Sequence, residues 1–131
     1  MAMKETPRDA ATWAEEVSAM RAASCLFHSF SDPSRLVILR HLQLGEHRVI
    51  DLTEHLGLSQ STVSKHLASL KETGLVVSRP EGRASIYSLQ HPEAIDDLFA
   101  AAETFLDLTG DSVKLCSKHA LAEPGRAPNA S

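Results

Sequence analysis

Two pairs of soft donor residues stand at the same spacing in this 131-residue chain: Cys25 with His28, and Cys116 with His119. On a helix, residues at i and i+3 project from one face. Two thiolates and two imidazoles complete a tetrahedral set suited to a divalent soft metal ion, namely cadmium, lead or zinc. A free cysteine is often only a small apolar side chain, and a chain with seven histidines carries most of them for other reasons. Cys25, however, falls opposite the apolar stripe formed by Trp13, Met20 and Phe27. Cys116 lies beyond the expected core, in a segment with little other reason to hold cysteine and histidine together. Metal ligation by Cys25, His28, Cys116 and His119 is therefore favoured over plain packing, within one chain or across two. An alternative uses the thiols alone, with Cys25 and Cys116 closing a disulfide in a thiol-redox or reactive-sulfur sensor; the histidines are then dispensable. His41, His47, His55 and His66 are read as non-ligands: His41 as structural, His47 as part of a connector, His55 as solvated.

A second constellation lies in "LGLSQSTVSKHLASLKETGLV", Leu56 to Val76. Val63, Leu67 and Leu70 at i, i+4, i+7 make an inward helix face. Gln60, Ser61, Thr62, Ser64, Lys65 and Ser69 are left for the outer face or the helix start. Short polar side chains near a helix N-terminus can sit in a major groove and reach base edges and phosphates. Glutamine pairs with adenine, and serine or threonine takes either bases or phosphates. His66 is a weaker candidate, because it abuts the core side.

The elements that must position these residues follow from periodicity and caps. Thr12 to Phe30 reads as one helix. "FSDPSRL" is a stop and restart: Ser31 or Asp32 caps, Pro33 takes the first helical position, and the helix runs to about Leu44 before Gly45. A third helix covers Val49 to Leu56, with Gly57 past its end. Ser59 caps a fourth, to about Thr73. Val49, Leu52 and Leu56 face inward, so these two short helices make a helix-turn-helix. "LVVSRP" and "SIYSLQ" are strands around a turn at Glu81-Gly82, a hairpin wing with Arg79 at its base and Arg83 at its tip. Both arginines suit backbone or minor-groove contact. Pro92 opens a last long helix through about Leu108, and "DSVKLCSKHAL" adds one or two turns.

Length fits one mainly α domain with a small β-hairpin, a winged helix-turn-helix, expected over residues 11–109. Residues 1–10 and 123–131 are expected to be disordered, and 110–122 to form a C-terminal segment carrying candidate ligands. Net charge is −4, yet Ser59 to Arg83 holds four cations (Lys65, Lys71, Arg79, Arg83) against two anions (Glu72, Glu81), a locally basic stretch in an acidic protein. No apolar run approaches a membrane span, and "MAMKETPRDAATWAEE" has no signal-peptide core, so a cytoplasmic protein with two reduced cysteines and no membrane partner is expected. No phosphate-binding glycine loop, nucleophile elbow or catalytic triad pattern occurs, so an enzyme is not expected. The basic helix and wing also argue against a winged helix that binds only protein.

"FSDPSRLVILRHL", "LTEHLGLSQSTVSKHLASLKETGLV" and "RPEGRASIYSL" together resemble the ArsR/SmtB family of bacterial winged-helix repressors, over roughly Ala22 to Leu108. The resemblance implies a homodimer built from the first and last helices. It also implies double-stranded operator DNA with inverted half-sites, and repression relieved by an effector, in many members a metal ion. It carries DNA contact onto Gln60, Ser61, Thr62, Ser64, Lys65 and Arg83. The chain departs from the family's metal sites in two places. Where the helix before the turn bears Cys-x-Cys in some members, this chain has "HRVIDLTEHL" without cysteine. Along the last helix the acidic positions survive, from His91 and Glu93 to Glu103 and Asp107, but the second histidine does not. That face is expected to be a solvated acidic one.

Overall fold

The computed structural model describes residues 7–115. Six helices and three short strands run in the order α1 (Pro7–Ala19), α2 (Arg21–Ser29), α3 (Pro33–Gln43), β1 (His47–Arg48), α4 (Val49–Leu56), α5 (Gln60–Glu72), β2 (Val76–Glu81), β3 (Ala84–Leu89) and α6 (Pro92–Thr109). The fold is a mainly helical winged helix-turn-helix with one small antiparallel sheet, as the pattern of elements predicts.

Local chemistry explains most boundaries. Asp32, not Ser31, starts α3: its Oδ1 accepts from the Ser34 N–H at 2.7 Å and the Arg35 N–H at 3.3 Å, with Pro33 in the first turn. Ser59 Oγ accepts the Thr62 N–H at 3.2 Å and opens α5. Gly57 ends α4 at φ +70°, the left-handed conformation that lets the chain turn sharply into α5. Gly82, at φ +64°, makes a two-residue turn with Arg83 between the paired Glu81 and Ala84. The turn thus sits one residue later than Glu81-Gly82, and Arg83 occupies the tip itself.

Three further departures have physical causes. The first helix is two: α1 begins at Pro7, and the ladder tightens at Met20, whose N–H is shared between the Glu16 and Val17 carbonyls before α2 resumes. The connector holding His47 is a third strand. β1 pairs antiparallel with β3, His47 opposite Tyr87 and Arg48 opposite Ile86, giving the order β1-β3-β2. Residues 111–115 form no helical turn. They fold back instead: the Leu115 N–H donates to Glu103 Oε2, Arg40 Nη1 donates to the Lys114 carbonyl, and Leu115 packs on the core. Glu103 is consequently buried, which corrects the expectation of a solvated acidic face at that position.

The core joins α3 (Ile38, Leu39, Leu42), α4 (Leu52), α5 (Val63, Leu67, Leu70), the start of β2 (Leu75, Val76) and α6 (Ile95, Phe99). Each such side chain, fully buried, contributes about 1.5–3 kcal/mol. Phe30, just past α2, meets Phe99 edge to face at 5.7 Å. The apolar stripe of α1 and α2 stays in water within one chain: Trp13 is 67% exposed and Phe27 60%, as are Phe105 (72%) and Leu108 (78%) on α6.

Candidate functional site

The outward side of α5 is built as its spacing predicts. Val63, Leu67 and Leu70 point inward and are fully buried, which turns Gln60, Ser61, Ser64 and Lys65 to solvent. Thr62 is half-buried and belongs to the cap. Ser59 Oγ donates to Thr62 Oγ1 at 2.9 Å and lies 3.2 Å from Ser61 Oγ. The first turn of α5 therefore presents a pre-ordered set of hydroxyls at the positive end of the helix. Ser69 is half-buried and not part of the presented set.

The wing is tied to this helix. Lys71 Nζ donates to Ser78 Oγ on β2 at 2.9 Å. Arg83 is exposed at the tip. Arg79 Nη2 lies 2.7 Å from Glu46 Oε1 across the base of the wing, an exposed ion pair.

His66 faces away from the presented surface. Arg35 Nη1 lies 3.4 Å from His66 Nδ1. Guanidinium only donates, so Nδ1 accepts and Nε2 carries the proton toward Asp32 Oδ1 at 4.0 Å. The same Arg35 donates through Nε to the Ser29 carbonyl at 2.9 Å and through Nη2 to the His28 carbonyl at 3.1 Å, closing the C-terminus of α2. Partial burial works against the Asp32 carboxylate. The Arg35 and Ser34 backbone donors, with His66 and Arg35 nearby, outweigh it and hold the group below its ordinary value.

On α2, Cys25 and His28 are both exposed and one turn apart. The donor types and their access to solvent fit a soft metal ion. Cys116 and His119 lie outside the described residues.

The chain matches the family described as bacterial regulatory protein, arsR family, over residues 32–78, from the cap of α3 to β2. It is 41% identical over 75 residues to an arsenical resistance operon repressor of Staphylococcus aureus, a stretch covering 57% of this chain and 71% of that one. The chain belongs to the arsR family of bacterial regulatory proteins. A probable mercury resistance operon repressor of Streptomyces lividans is 37% identical over 53% of this chain and 56% of its own length. The matched stretch spans 65%, 56% and 59% of three curated relatives. Among solved structures, a homodimeric winged helix-turn-helix DNA-binding domain from Mycobacterium bovis superposes with a TM-score of 0.59 at 29% identity, covering 82% of this chain and 91% of that one.

In this arsR-family chain one constellation escapes sequence reasoning. His41 on α3, His47 in β1 and His55 in the last turn of α4 converge, their candidate ligand atoms all within 4.8 Å of one another. Burial, then the neighbouring His55, His47 and Arg40, push the His41 imidazole below its ordinary pKa and toward the neutral form. Intervals of six and eight residues across three elements leave no local pattern. β1, which pairs with β3, carries His47 to the other two. No helix among the described residues is long and apolar enough to cross a membrane.

Proposed function

We propose that this chain is a transcriptional repressor that binds palindromic operator DNA as a homodimer and lets it go when a soft divalent metal ion binds. The observation that carries the DNA half is the exposed row Gln60, Ser61, Ser64 and Lys65 on the capped start of α5, flanked by Arg83 at the wing tip. Thr62 completes the contact set through its cap. The apolar faces of α1–α2 and α6, with Trp13, Met20, Phe27, Phe105 and Leu108 open to water, supply the two-fold interface, which also sets the half-site spacing. Such a repressor works in the cytoplasm, where its cysteines stay reduced.

For the effector, the reading takes Cys25 and His28 on α2 together with Cys116 and His119. Names of relatives such as arsenical and mercury resistance repressors support a thiophilic effector. Cadmium, lead and zinc are the ions this donor set favours. By linkage, an effector that releases DNA binds the DNA-free form more tightly. Exposure of Cys25 also supports a second reading, in which Cys25 and Cys116 form a disulfide and the histidines are spectators.

The test pairs two signals on the reduced protein: thiolate charge-transfer absorbance during cadmium titration, and fluorescence anisotropy of a labelled palindromic operator. Cys25→Ser and Cys116→Ser should each abolish both responses. Untouched cadmium affinity in His28→Ala and His119→Ala would overturn the four-ligand site. Operator release on oxidation but not on cadmium addition would put the redox reading in its place.

A further inference from the structure

The three-histidine cluster lies on different residues from the proposed effector set and does not rest on it. His41 and His55 stack with centroids 4.8 Å apart and planes at 23°. His47 stands edge-on to both, at 6.1 Å from His41 and 5.6 Å from His55. A tetrahedral ion with metal–nitrogen bonds of about 2.05 Å needs nitrogens about 3.3 Å apart. From separations of at most 4.8 Å, the closure required is about 1.5 Å or less, within reach of side-chain torsions.

A second observation points to a ligand rather than to packing alone. His47 Nδ1 lies 2.8 Å from the Gly45 carbonyl oxygen. A carbonyl only accepts, so Nδ1 carries the proton and Nε2 keeps the lone pair. An imidazole that donates one N–H to a backbone carbonyl has its tautomer and ring orientation fixed, the usual outer-shell arrangement of a metal-bound histidine. Three imidazoles at this distance would repel one another if protonated; sharing one cation removes that conflict and uses all three lone pairs.

We propose that His41, His47 and His55 form a binding site for a first-row divalent transition ion of the zinc, cobalt or nickel class, with three nitrogen ligands and a fourth position open to water. An all-imidazole set selects these borderline ions over the thiophilic ones that Cys25 and Cys116 favour. Its place in the fold gives it a role. The ligands come from α3, β1 and the last turn of α4, two residues before Gly57. A bound ion staples the first helix of the helix-turn-helix to the core helix behind it and to the sheet that carries the wing. It fixes how α4 and the wing sit around α5.

The experiment uses full-length protein carrying Cys25→Ser and Cys116→Ser, which removes both thiols. Cobalt(II) should bind at one equivalent per chain, giving visible d–d bands without sulfur charge transfer. Zinc should displace it and raise Tm by several degrees, since the assembled site binds it more tightly than the unfolded chain does. His55→Ala in that background touches an exposed residue, so the fold should persist by circular dichroism. Cobalt affinity should fall by at least about 100-fold, beyond the loss from an outer-shell partner. His47→Gln, which keeps polarity and size, should do the same. Overturning results are no cobalt bands in the parent, or cobalt affinity and zinc-induced Tm shift unchanged in both variants. Cadmium charge transfer in the cysteine-intact protein reports on the effector site separately, so each site can fail without the other.

Discussion

Replacing Arg83 by alanine removes one cation from each of two wing tips in the proposed dimer, and the structure makes a contrast available inside the same wing. Arg83 is exposed at the turn, whereas Arg79, at the base, is matched by Glu46 at 2.7 Å. If each Arg83 neutralises one phosphate, the plot of log affinity against log salt loses about 0.9 of slope per site, about 1.8 per dimer. Raising salt about fourfold, from about 50 to about 200 mM, then costs the parent protein about 12-fold more affinity than Arg83→Ala. Arg79→Ala should change the slope by less than about a third of that, because the Glu46 carboxylate already offsets its charge. Glu46→Gln should unmask Arg79 and steepen the slope. The assay is fluorescence anisotropy with one labelled palindrome across a salt series. A slope unchanged in Arg83→Ala together with a large loss of slope in Arg79→Ala would refute the reasoning. It would mean that the wing meets DNA through its base, with the Glu46 pair broken in the complex.

Two further predictions concern the scaffold that holds α5. Asp32 has a lowered folded-state pKa, below its ordinary 3.8, so its contribution is present above the unfolded value and disappears as pH falls through the folded one. In urea denaturation, the stability gap between the parent and Asp32→Asn, which keeps a capping oxygen, should narrow as pH drops below 3.8; a gap independent of pH would contradict it. Ser29, 2% exposed, has its single O–H placed between Thr73 Oγ1 at 3.0 Å and the Cys25 carbonyl at 3.3 Å. Ser29→Ala should lose about 1 kcal/mol of unfolding free energy in the same assay, and a loss indistinguishable from zero would show the contact to be idle.

What was legible in the sequence was what local rules determine. The Asp-Pro start of α3, the Ser59 cap, the i, i+4, i+7 face of α5 and the glycine turn of the wing each depend on residues within one or two turns of each other. The unreadable features are set by distant partners. β1 is two residues long and is a strand only because β3 lies beside it. Arg79 meets Glu46 from 33 positions away, an ion pair that no local pattern announces. Glu103 sits on a helix face that reads as polar and becomes buried when residues 111–115 fold back. The histidine cluster needs α3, β1 and α4 assembled before its members are neighbours at all. The break at Met20 has neither glycine nor proline to announce it.

These non-local contacts also bear on how the proposed effector side would reach DNA. The last turn of α2 carries His28 and ends at Ser29, one turn beyond Cys25. Its carbonyls are held by Arg35, and the same guanidinium holds His66 in the middle of α5. Ser29 Oγ reaches Thr73 at the far end of α5. The helix bearing the candidate thiol is thus linked to α5 at two points along its length, through the Arg35 side chain of α3 and through Ser29 Oγ. A displacement of the α2 terminus acts on both ties, one of them made of charge-assisted hydrogen bonds from Arg35. In the proposed function, an effector bound at Cys25 and His28 would bear on Gln60, Ser61, Ser64 and Lys65 through these two ties, and operator DNA would lower effector affinity by the same free energy.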